Sequence, residues 1–346
     1  MTLYIGVDIH PYQQTVAFCR TEDGEIKFRS FKHEDKRVLK GFYGGFGESA
    51  IVGVEATGSL DWFEEMIFEN GHEFLVGNPY EIRRRAKSRH KSDRRDAETI
   101  LDLLVNGEFP SIWRRDRADR GILQLLSFRQ HLVRQRTSVA NQLQSLARKN
   151  GLARFSISTK IGRGTLFAAK IDATDDYLRT SLYALYDDLS QRVKKVEESL
   201  TKAVATNERA ALLMTHSGVG IKTALTLAAT LGDVRRFQNS RQVVAFVGLD
   251  PLDKSSGEKK RTGRISKSGS RLCRYMLVQA ANRSQNPQLK EAYQRTKSRR
   301  GHAIAKIAIA RRLLINCYTM LRDAIDYSEF CRRGEVGLHE NTLASE

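Results

Sequence analysis

The chain has 346 residues, with 58 Lys or Arg against 40 Asp or Glu, so its formal net charge is +18. A composition that is 40% hydrophobic and 28% charged is typical of a globular protein of two or three domains and excludes a disordered or fibrous chain. No apolar run approaches the ~18 residues of a membrane helix, and the N-terminus lacks the features of a signal peptide. We therefore expect a cytoplasmic protein without membrane contact, nucleoid-associated during activity, whose partner is a polyanion.

The first part of the chain, residues 1–115, predicts a mixed sheet covered by helices. Strands are expected where short β-rich apolar runs occur, at residues 3–9, 15–20, 25–31, 51–55 and 73–76. Helices are expected at residues 34–47, at about 60–70 and from Ser92 onward. This alternation of strands and helices predicts an α/β domain.

The remainder of the chain predicts helices. Apolar residues recur at helical spacing in 118–149 and again in 185–205, which is typical of two antiparallel arms of a coiled-coil hairpin. We therefore divide the remainder into a helical hairpin, a mostly helical C-terminal domain with two helices near its end, and a loose tail. These segments are residues 116–208, 209–330 and 331–346.

The charge is distributed unevenly along the chain. Residues 1–80 contain 7 Lys and Arg against 13 Asp and Glu, a net charge of −6, so the remaining residues carry +24. Two segments, 83–96 and 258–274, contain eight and seven basic side chains. Such clusters supply sequence-independent affinity for nucleic acid because each contact with a phosphate releases counterions. A solvated surface face is the alternative for either cluster alone.

Four carboxylates stand in unusual positions. Asp8 lies inside a buried strand and Glu55 at the end of another, while Asp93 and Asp96 lie three residues apart at a helix start. A carboxylate in a buried strand is costly unless it is paired or metal-bound, and oxygen ligands suit Mg²⁺. The four could converge on two Mg²⁺ ions that clamp a scissile phosphodiester. Asp93 and Asp96 could instead be ordinary residues of a helix start.

These residues carry a resemblance to a known family. Asp8, Glu55 in GVEATGS, Asn78-Pro79 and the run from Lys91 to Ala97 resemble the DEDD insertion-sequence transposases, whose N-terminal domain is similar to the junction resolvase RuvC. The later segments SGVGIKTALTLAATLGDVRRF, FVGLDP and RTGRISKSGS resemble the C-terminal transposase domain of the same family. The resemblance implies an RNase H fold for the first domain and DNA recombination as the activity.

The resemblance also implies a nucleophile and partners. Members of the family use a serine shortly after a GLxP segment, here residues 248–251. This position selects Ser256, and the neighbouring Ser255 is the alternative if the register differs by one residue. The serine works with the carboxylate metal site to form a phosphoserine link to DNA. A structured bridge RNA that pairs with donor and target DNA is a further implied partner. Exchange of two DNA ends requires at least two active sites, so we expect a homodimer or homotetramer that uses the hairpin.

Candidate nucleic-acid contacts follow from the basic clusters and from a glycine-rich helix start. Gly218 and Gly220 precede a helix and, with Lys222, could cradle a phosphate, although a structural turn is nearly as good an explanation. The full set comprises Arg83, Arg84, Arg85, Lys87, Arg89, Lys91, Gly218, Gly220, Lys222, Lys259, Lys260, Arg261, Arg264, Lys267 and Arg271.

Other activities were weighed against recombination. A Mg²⁺-dependent RuvC-like junction nuclease would use the same carboxylates with water as the nucleophile. An actin-like kinase is disfavoured because Asp8-Ile9-His10 lacks the glycine- and threonine-containing phosphate loop of that class. A non-catalytic nucleic-acid-binding protein would leave Asp8 and Glu55 unexplained.

Overall fold

A computed structural model describes five segments of the chain, residues 2–22, 24–58, 60–86, 92–253 and 262–334. The chain divides into two compact units, Met1–Arg114 and Arg115–Glu346. The unit boundary lies one residue from the expected end of the first domain. The further boundaries expected at residues 208 and 330 stay predictions, and one hydrophobic cluster includes residues on both sides of 208.

The first unit is built on a five-stranded mixed sheet with the order β3-β2-β1-β4-β5. Strands β1, β4 and β5 are parallel, whereas β2 pairs antiparallel with both β1 and β3. This arrangement fits the expected RNase H-like domain. The strands are β1 (Leu3–Ile9), β2 (Gln13–Arg20), β3 (Lys27–Lys32), β4 (Ala50–Glu55) and β5 (Glu73–Gly77).

Helices cover both faces of this sheet. On one face, alternate strand residues such as Ile5, Val7 and Val54 pack with Tyr43 and Phe63 in the main core of the unit. The other face carries two smaller clusters against the fourth helix. The helices are α1 (Lys36–Gly44), α2 (Asp61–Glu69), α3 (Pro79–Arg85) and α4 (Asp93–Val105).

In the residues that the structure describes, the second unit consists of helices and one two-stranded sheet. Its longest helices run antiparallel, since Lys149 at the end of the first pairs with Asp175 near the start of the second at 2.7 Å. This confirms the predicted hairpin. The helices are α5 (Arg117–Lys149), α6 (Lys160–Ala168), α7 (Ala173–Ala205), α8 (Glu208–Met214), α9 (Ile221–Leu231), α10 (Ser240–Val247), α11 (Arg271–Arg283), α12 (Pro287–Arg300) and α13 (His302–Asp323), and the strands are β6 (Pro251–Asp253) and β7 (Thr262–Ile265).

Several elements differ from the sequence prediction. Helices α3 and α6 were not predicted, and the described residues of the last part of the chain contain α11, α12, α13 and a further helical segment at 327–334, where two helices were expected. The segment 243–249, open between strand and helix, is occupied by the end of α10 and the turn after it. In the parts of the chain that the structure describes, no helix combines the length and the apolarity required to cross a bilayer.

Candidate metal centre and nucleic-acid interface

The parallel strands place two of the four carboxylates side by side. The register pairs Val7 of β1 with Val54 of β4, so the next residues, Asp8 and Glu55, lie at the same edge of the sheet. Gly6 and Asp8 are two residues apart and therefore share a face, and the same holds for Gly53 and Glu55. Both carboxylate-bearing positions thus belong to the face that α4 covers.

Two glycines let α4 approach this face closely. A Cβ atom at Gly6 would lie 2.4 Å from the Ala97 carbonyl oxygen and 2.5 Å from the Leu101 amide nitrogen. A Cβ atom at Gly53 would meet the side chain of Leu104 at 2.8 Å. Since any larger residue would push the helix outward, the glycines bring the first turn of α4 to the level of Asp8.

The start of α4 supplies the other two carboxylates. The helix is capped by Ser92, whose hydroxyl accepts a hydrogen bond from the backbone N–H of Arg95 at 3.3 Å. Asp93 is therefore not the N-cap, although it and Asp96 both belong to the first turn, where negative charge favours the helix. The Asp93 carboxylate instead accepts a hydrogen bond from Gln13 Nε2 at 3.3 Å.

Asp8, His10 and Asp93 form a cluster with the geometry of a cation site. His10 Nε2 lies 3.1 Å from Asp8 Oδ2 and 3.5 Å from Asp93 Oδ1. One potential ligand atom from each of the three residues lies within 4.8 Å of the others. The Asp8 side chain is 14% exposed, whereas those of His10 and Asp93 are both 46% exposed, so the cluster opens to solvent on one side.

The electrostatic environment of Asp8 disfavours its charged form. Burial raises the pKa of the Asp8 carboxyl, His10 lowers that pKa, and the charges of Asp96 and Asp93 raise it. The net direction is upward. A bound cation would reverse this balance, because it would offset both the desolvation and the repulsion among the carboxylates.

The Glu55 carboxylate forms an ion pair with an arginine of its own unit. Its Oε1 atom accepts a hydrogen bond from Arg83 Nη2 of α3 at 3.1 Å, and its side chain is 25% exposed. Helix α3 is capped by Asn78, whose side chain accepts hydrogen bonds from the N–H groups of Tyr80 and Glu81. Glu55 therefore lies beside the Asp8 cluster in the sheet but is ion-paired with Arg83.

The arginines of the first basic cluster are partly engaged within the protein. Arg84 Nη2 lies 2.9 Å from Glu81 Oε2, and Arg85 donates a hydrogen bond to the Glu108 carbonyl oxygen. Exposed pairs of this type contribute little to stability, so these side chains remain available to a stronger anion. Lys87, Arg89 and Lys91 lie outside the described residues.

The glycine-rich helix start has a structural explanation. Gly218 adopts a φ of +90°, and a Cβ atom there would lie 2.8 Å from the Ser284 Cα atom. Gly220 is the N-cap of α9, and Lys222 pairs with Glu197 of the hairpin at 3.0 Å. Glu197 also pairs with Arg129 at 2.7 Å. Lys222 therefore joins α9 to the hairpin, and its role in phosphate binding stays a prediction.

The second basic cluster is described only at its end. Arg264 and Lys267 border a cavity next to β7, and Arg271 is an exposed residue in the first turn of α11. The other predicted residues of this region, both serines included, lie outside the described residues: Ser255, Ser256, Lys259, Lys260 and Arg261.

Sequence reasoning missed His10 and Gln13 as members of the carboxylate site. The available signal was the Asp8-x-His10 spacing, because residues two apart at a strand end project to the same side. Gln13 reaches the site from β2, which the hairpin turn returns beside β1. That contact depends on tertiary structure and has no local sequence signal.

Two protein families match separate parts of this chain. Residues 5–149 match a family described as "Transposase", of the DEDD type of insertion sequence 110, and residues 210–294 match "Transposase IS116/IS110/IS902 family". The first match contains all four candidate carboxylates. The second contains the segment from α8 to the middle of α12.

Individual relatives are similar over most of the chain. The transposase for insertion sequence element IS1111A of Coxiella burnetii is 28% identical over 71% of this chain and 70% of its own length. A probable family 20 transposase of Pseudomonas aeruginosa is 28% identical over 67% of this chain and 70% of its own. The pilin gene-inverting protein of Moraxella bovis is 27% identical over 78% of this chain and 79% of its own.

Proposed function

The chain belongs to the DEDD-type insertion-sequence transposase family, and we propose that it cuts and exchanges DNA strands with metal-bound carboxylates and a serine nucleophile. The observation that carries the proposal is the approach of α4 to the ends of β1 and β4, which brings Asp93 to Asp8. Relatives described as transposases and as pilin gene-inverting proteins support recombination over simple cleavage.

Asp8, Glu55, Asp93 and Asp96 are the proposed ligands of two Mg²⁺ ions. The oxygen-rich donor set fits a hard cation, and the raised pKa of Asp8 reflects its burial first and then the negative charge of Asp96 and Asp93, both of which a cation would offset. Glu55 joins the site when it is released from Arg83. Bound there, the metal would supply a Lewis acid that activates the attacking hydroxyl and stabilises the leaving oxygen.

Ser256 is the proposed nucleophile. Its Oγ atom forms a bond to phosphorus while the bond between phosphorus and a deoxyribose oxygen breaks. The serine proton leaves Oγ, and the departing sugar oxygen takes up a proton, so the products are a phosphoserine ester and a free DNA hydroxyl. The reverse reaction with another DNA end would rejoin the strands without an external energy source.

A bridge RNA is the proposed guide, and a homodimer or homotetramer is the proposed active form. The predicted basic clusters are compatible with RNA as well as DNA. Helix α5 exposes Leu125 and Phe128, at 37% and 50% of their surfaces, which is compatible with assembly through the hairpin. Sequencing of co-purifying RNA and analytical ultracentrifugation with and without it test these two points, and a stable monomer in both conditions would contradict the assembly.

The decisive experiment traps the covalent intermediate. The full-length protein, with its co-purifying RNA, is incubated with Mg²⁺ and a nicked DNA substrate whose cleaved end diffuses away, and the products are separated under denaturing conditions. We expect a protein–DNA adduct with the wild type and with the Ser255→Ala control. We expect no adduct with Ser256→Ala. Loss with Ser255→Ala alone would move the nucleophile by one position. Cleavage by the wild type without any adduct would favour the water-dependent nuclease.

A further inference from the structure

A cavity of about 820 Å³ lies in the second unit beside β7. Its walls come from the β6–β7 sheet, from the C-terminal half of α12 and from the first three turns of α13, and we call it the α12–α13 groove. Its apolar lining residues include Ile265, Ile304 and Ile307. The cationic residues that line it are Arg264, Lys267, Arg295, Arg299, Arg300 and Arg311.

The groove has no acidic residue among those that line it. Arg295, Arg299 and Arg300 are all exposed, and in the described segments none of them is ion-paired with a carboxylate. Arg295 and Arg299 are four residues apart on α12 and therefore lie on one face of the helix. Like charges that converge on one concave surface repel each other, and an anion in the groove would remove that cost.

Hydrogen bonds to the chain before β6 hold two of the lining residues in place. Lys267 has a φ of +58°, a left-handed conformation that is unfavourable for a lysine, and its N–H donates to the Gly248 carbonyl oxygen at 3.1 Å. Arg311 of α13 donates two hydrogen bonds to the Leu249 carbonyl oxygen, at 2.6 and 3.1 Å. The groove is therefore tied to residues 248 and 249, just before β6.

We propose that the α12–α13 groove binds the sugar–phosphate backbone of a nucleic acid strand. The exposed guanidinium groups of Arg295, Arg299 and Arg300 beside apolar lining residues match a strand that presents phosphates along one side and sugars along the other. The inference rests on the proposed function, because β6 and β7 flank the chain segment that contains Ser255 and Ser256. It adds α12 and α13 to the elements proposed to contact nucleic acid.

The test compares two double variants of the full chain in a binding assay. Arg295→Gln with Arg299→Gln removes two charges from the groove, while Lys290→Gln with Lys297→Gln removes two charges elsewhere on the same helix. Binding of fluorescent single-stranded DNA, duplex DNA and RNA of one sequence is followed by anisotropy in EDTA. The absence of metal separates binding from the proposed chemistry, and circular dichroism checks that both variants fold.

We expect the arginine variant to bind at least tenfold more weakly at 0.1 M salt. For single strands, its slope of log K against log salt should fall by about 1.4, since each phosphate contact contributes about 0.7. The nucleic acid whose affinity falls most is the occupant. If the lysine variant loses as much affinity as the arginine variant, or if the arginine variant loses none, the groove is not the binding site. Either result would leave the proposed function unaffected. No binding by the wild type would contradict both.

Discussion

At the scale of single residues, Asp8 defines the candidate metal centre. It combines a mostly buried carboxylate, a hydrogen bond to His10 and two further carboxylates in its electrostatic environment. Burial without a cation disfavours its charge, and the raised pKa expresses that cost. The position is therefore unfavourable for folding and useful for binding a cation, which is a combination typical of functional sites.

Replacement of Asp8 by Asn should separate these two effects. The raised pKa means that the folded protein binds a proton more readily than the unfolded chain, so ionisation of Asp8 lowers stability as the pH rises through that pKa. We expect Asp8→Asn to unfold at a higher temperature than the wild type in EDTA at neutral pH. The variant should show no Mn²⁺ binding by calorimetry. Its rate of strand cleavage should fall by about 100-fold or more.

The control for this prediction is Glu73→Gln, which removes an exposed carboxylate at the first residue of β5, the opposite strand end. It should leave Mn²⁺ affinity and cleavage unchanged. A lower melting temperature for Asp8→Asn in EDTA would mean that the charged carboxylate stabilises the fold through His10. Unchanged Mn²⁺ binding would remove Asp8 from the site.

The sequence singles out a candidate site residue where a side chain conflicts with its local pattern. Asp8 interrupts an apolar strand, and that conflict is visible in the sequence alone. The pairing of Lys222 with Glu197 is not visible, because the two residues meet only after α9 packs on the hairpin. The groove arginines of α12 and α13 are not visible for the same reason, since they meet Arg264 only when these separate elements pack together.

At the scale of elements, the position of α4 decides whether the site forms. Backbone atoms of α4 lie directly against β1, since a Cβ atom added at Gly6 would collide with the backbone of Ala97 and Leu101. Backbone atoms cannot rotate away as a side chain can, so the distance between this helix and the sheet is fixed by the glycine. The separation of Asp93 from Asp8 depends on it.

Gly6→Ala should therefore damage both stability and metal binding. We expect a loss of about 1–3 kcal/mol in the free energy of unfolding from overpacking, and weaker Mn²⁺ binding because α4 must move outward. Gly41→Ala is the matched control, since Gly41 lies inside α1 with no atom within 4 Å of an added Cβ. That change should stabilise the protein by about 0.5–1 kcal/mol.

Urea denaturation and calorimetry with Mn²⁺ measure the two quantities. If Gly6→Ala unfolds at the same urea concentration as the wild type, α4 does not pack closely on β1 at this position. If stability falls and Mn²⁺ affinity does not, the position of α4 would not control the site.

Element prediction worked best where periodicity and length agree. The strand β1 was predicted with its observed bounds, and the arms of the hairpin were recognised from their apolar repeats. Helix α3 was missed because only Ile82 of its seven residues is buried, so it has no apolar stripe. Its basic residues suggested a solvent-facing cluster, and the helical geometry that directs Arg83 to Glu55 was not recognised.

At the scale of the whole molecule, each unit contains a hydrophobic core of its own. The described core of the first unit comprises residues of its sheet together with α1 and α2. The main cluster of the second unit combines residues of the hairpin with those of α9, α10, α11 and α13. The carboxylates belong to the first unit and the groove to the second, so the two proposed binding properties can be measured separately.

Residues 1–114 expressed alone should fold and bind Mn²⁺. We expect a cooperative urea transition by circular dichroism and Mn²⁺ binding by calorimetry, because the strands, α4 and all four carboxylates belong to this unit. The same fragment with Asp8→Asn is the control and should not bind. A fragment without a cooperative transition would show that the first core depends on the rest of the chain.

The ion pair between Arg83 and Glu55 has a consequence for how substrate and metal bind together. One guanidinium cannot serve a carboxylate and a phosphate fully at the same time. A nucleic acid that draws Arg83 away leaves Glu55 with an uncompensated negative charge, which raises the affinity of the neighbouring cluster for a cation. By thermodynamic reciprocity, a cation there raises the affinity for nucleic acid by the same factor. We therefore expect nucleic acid and metal to bind cooperatively, so that the proposed metal site is filled completely only when nucleic acid is bound.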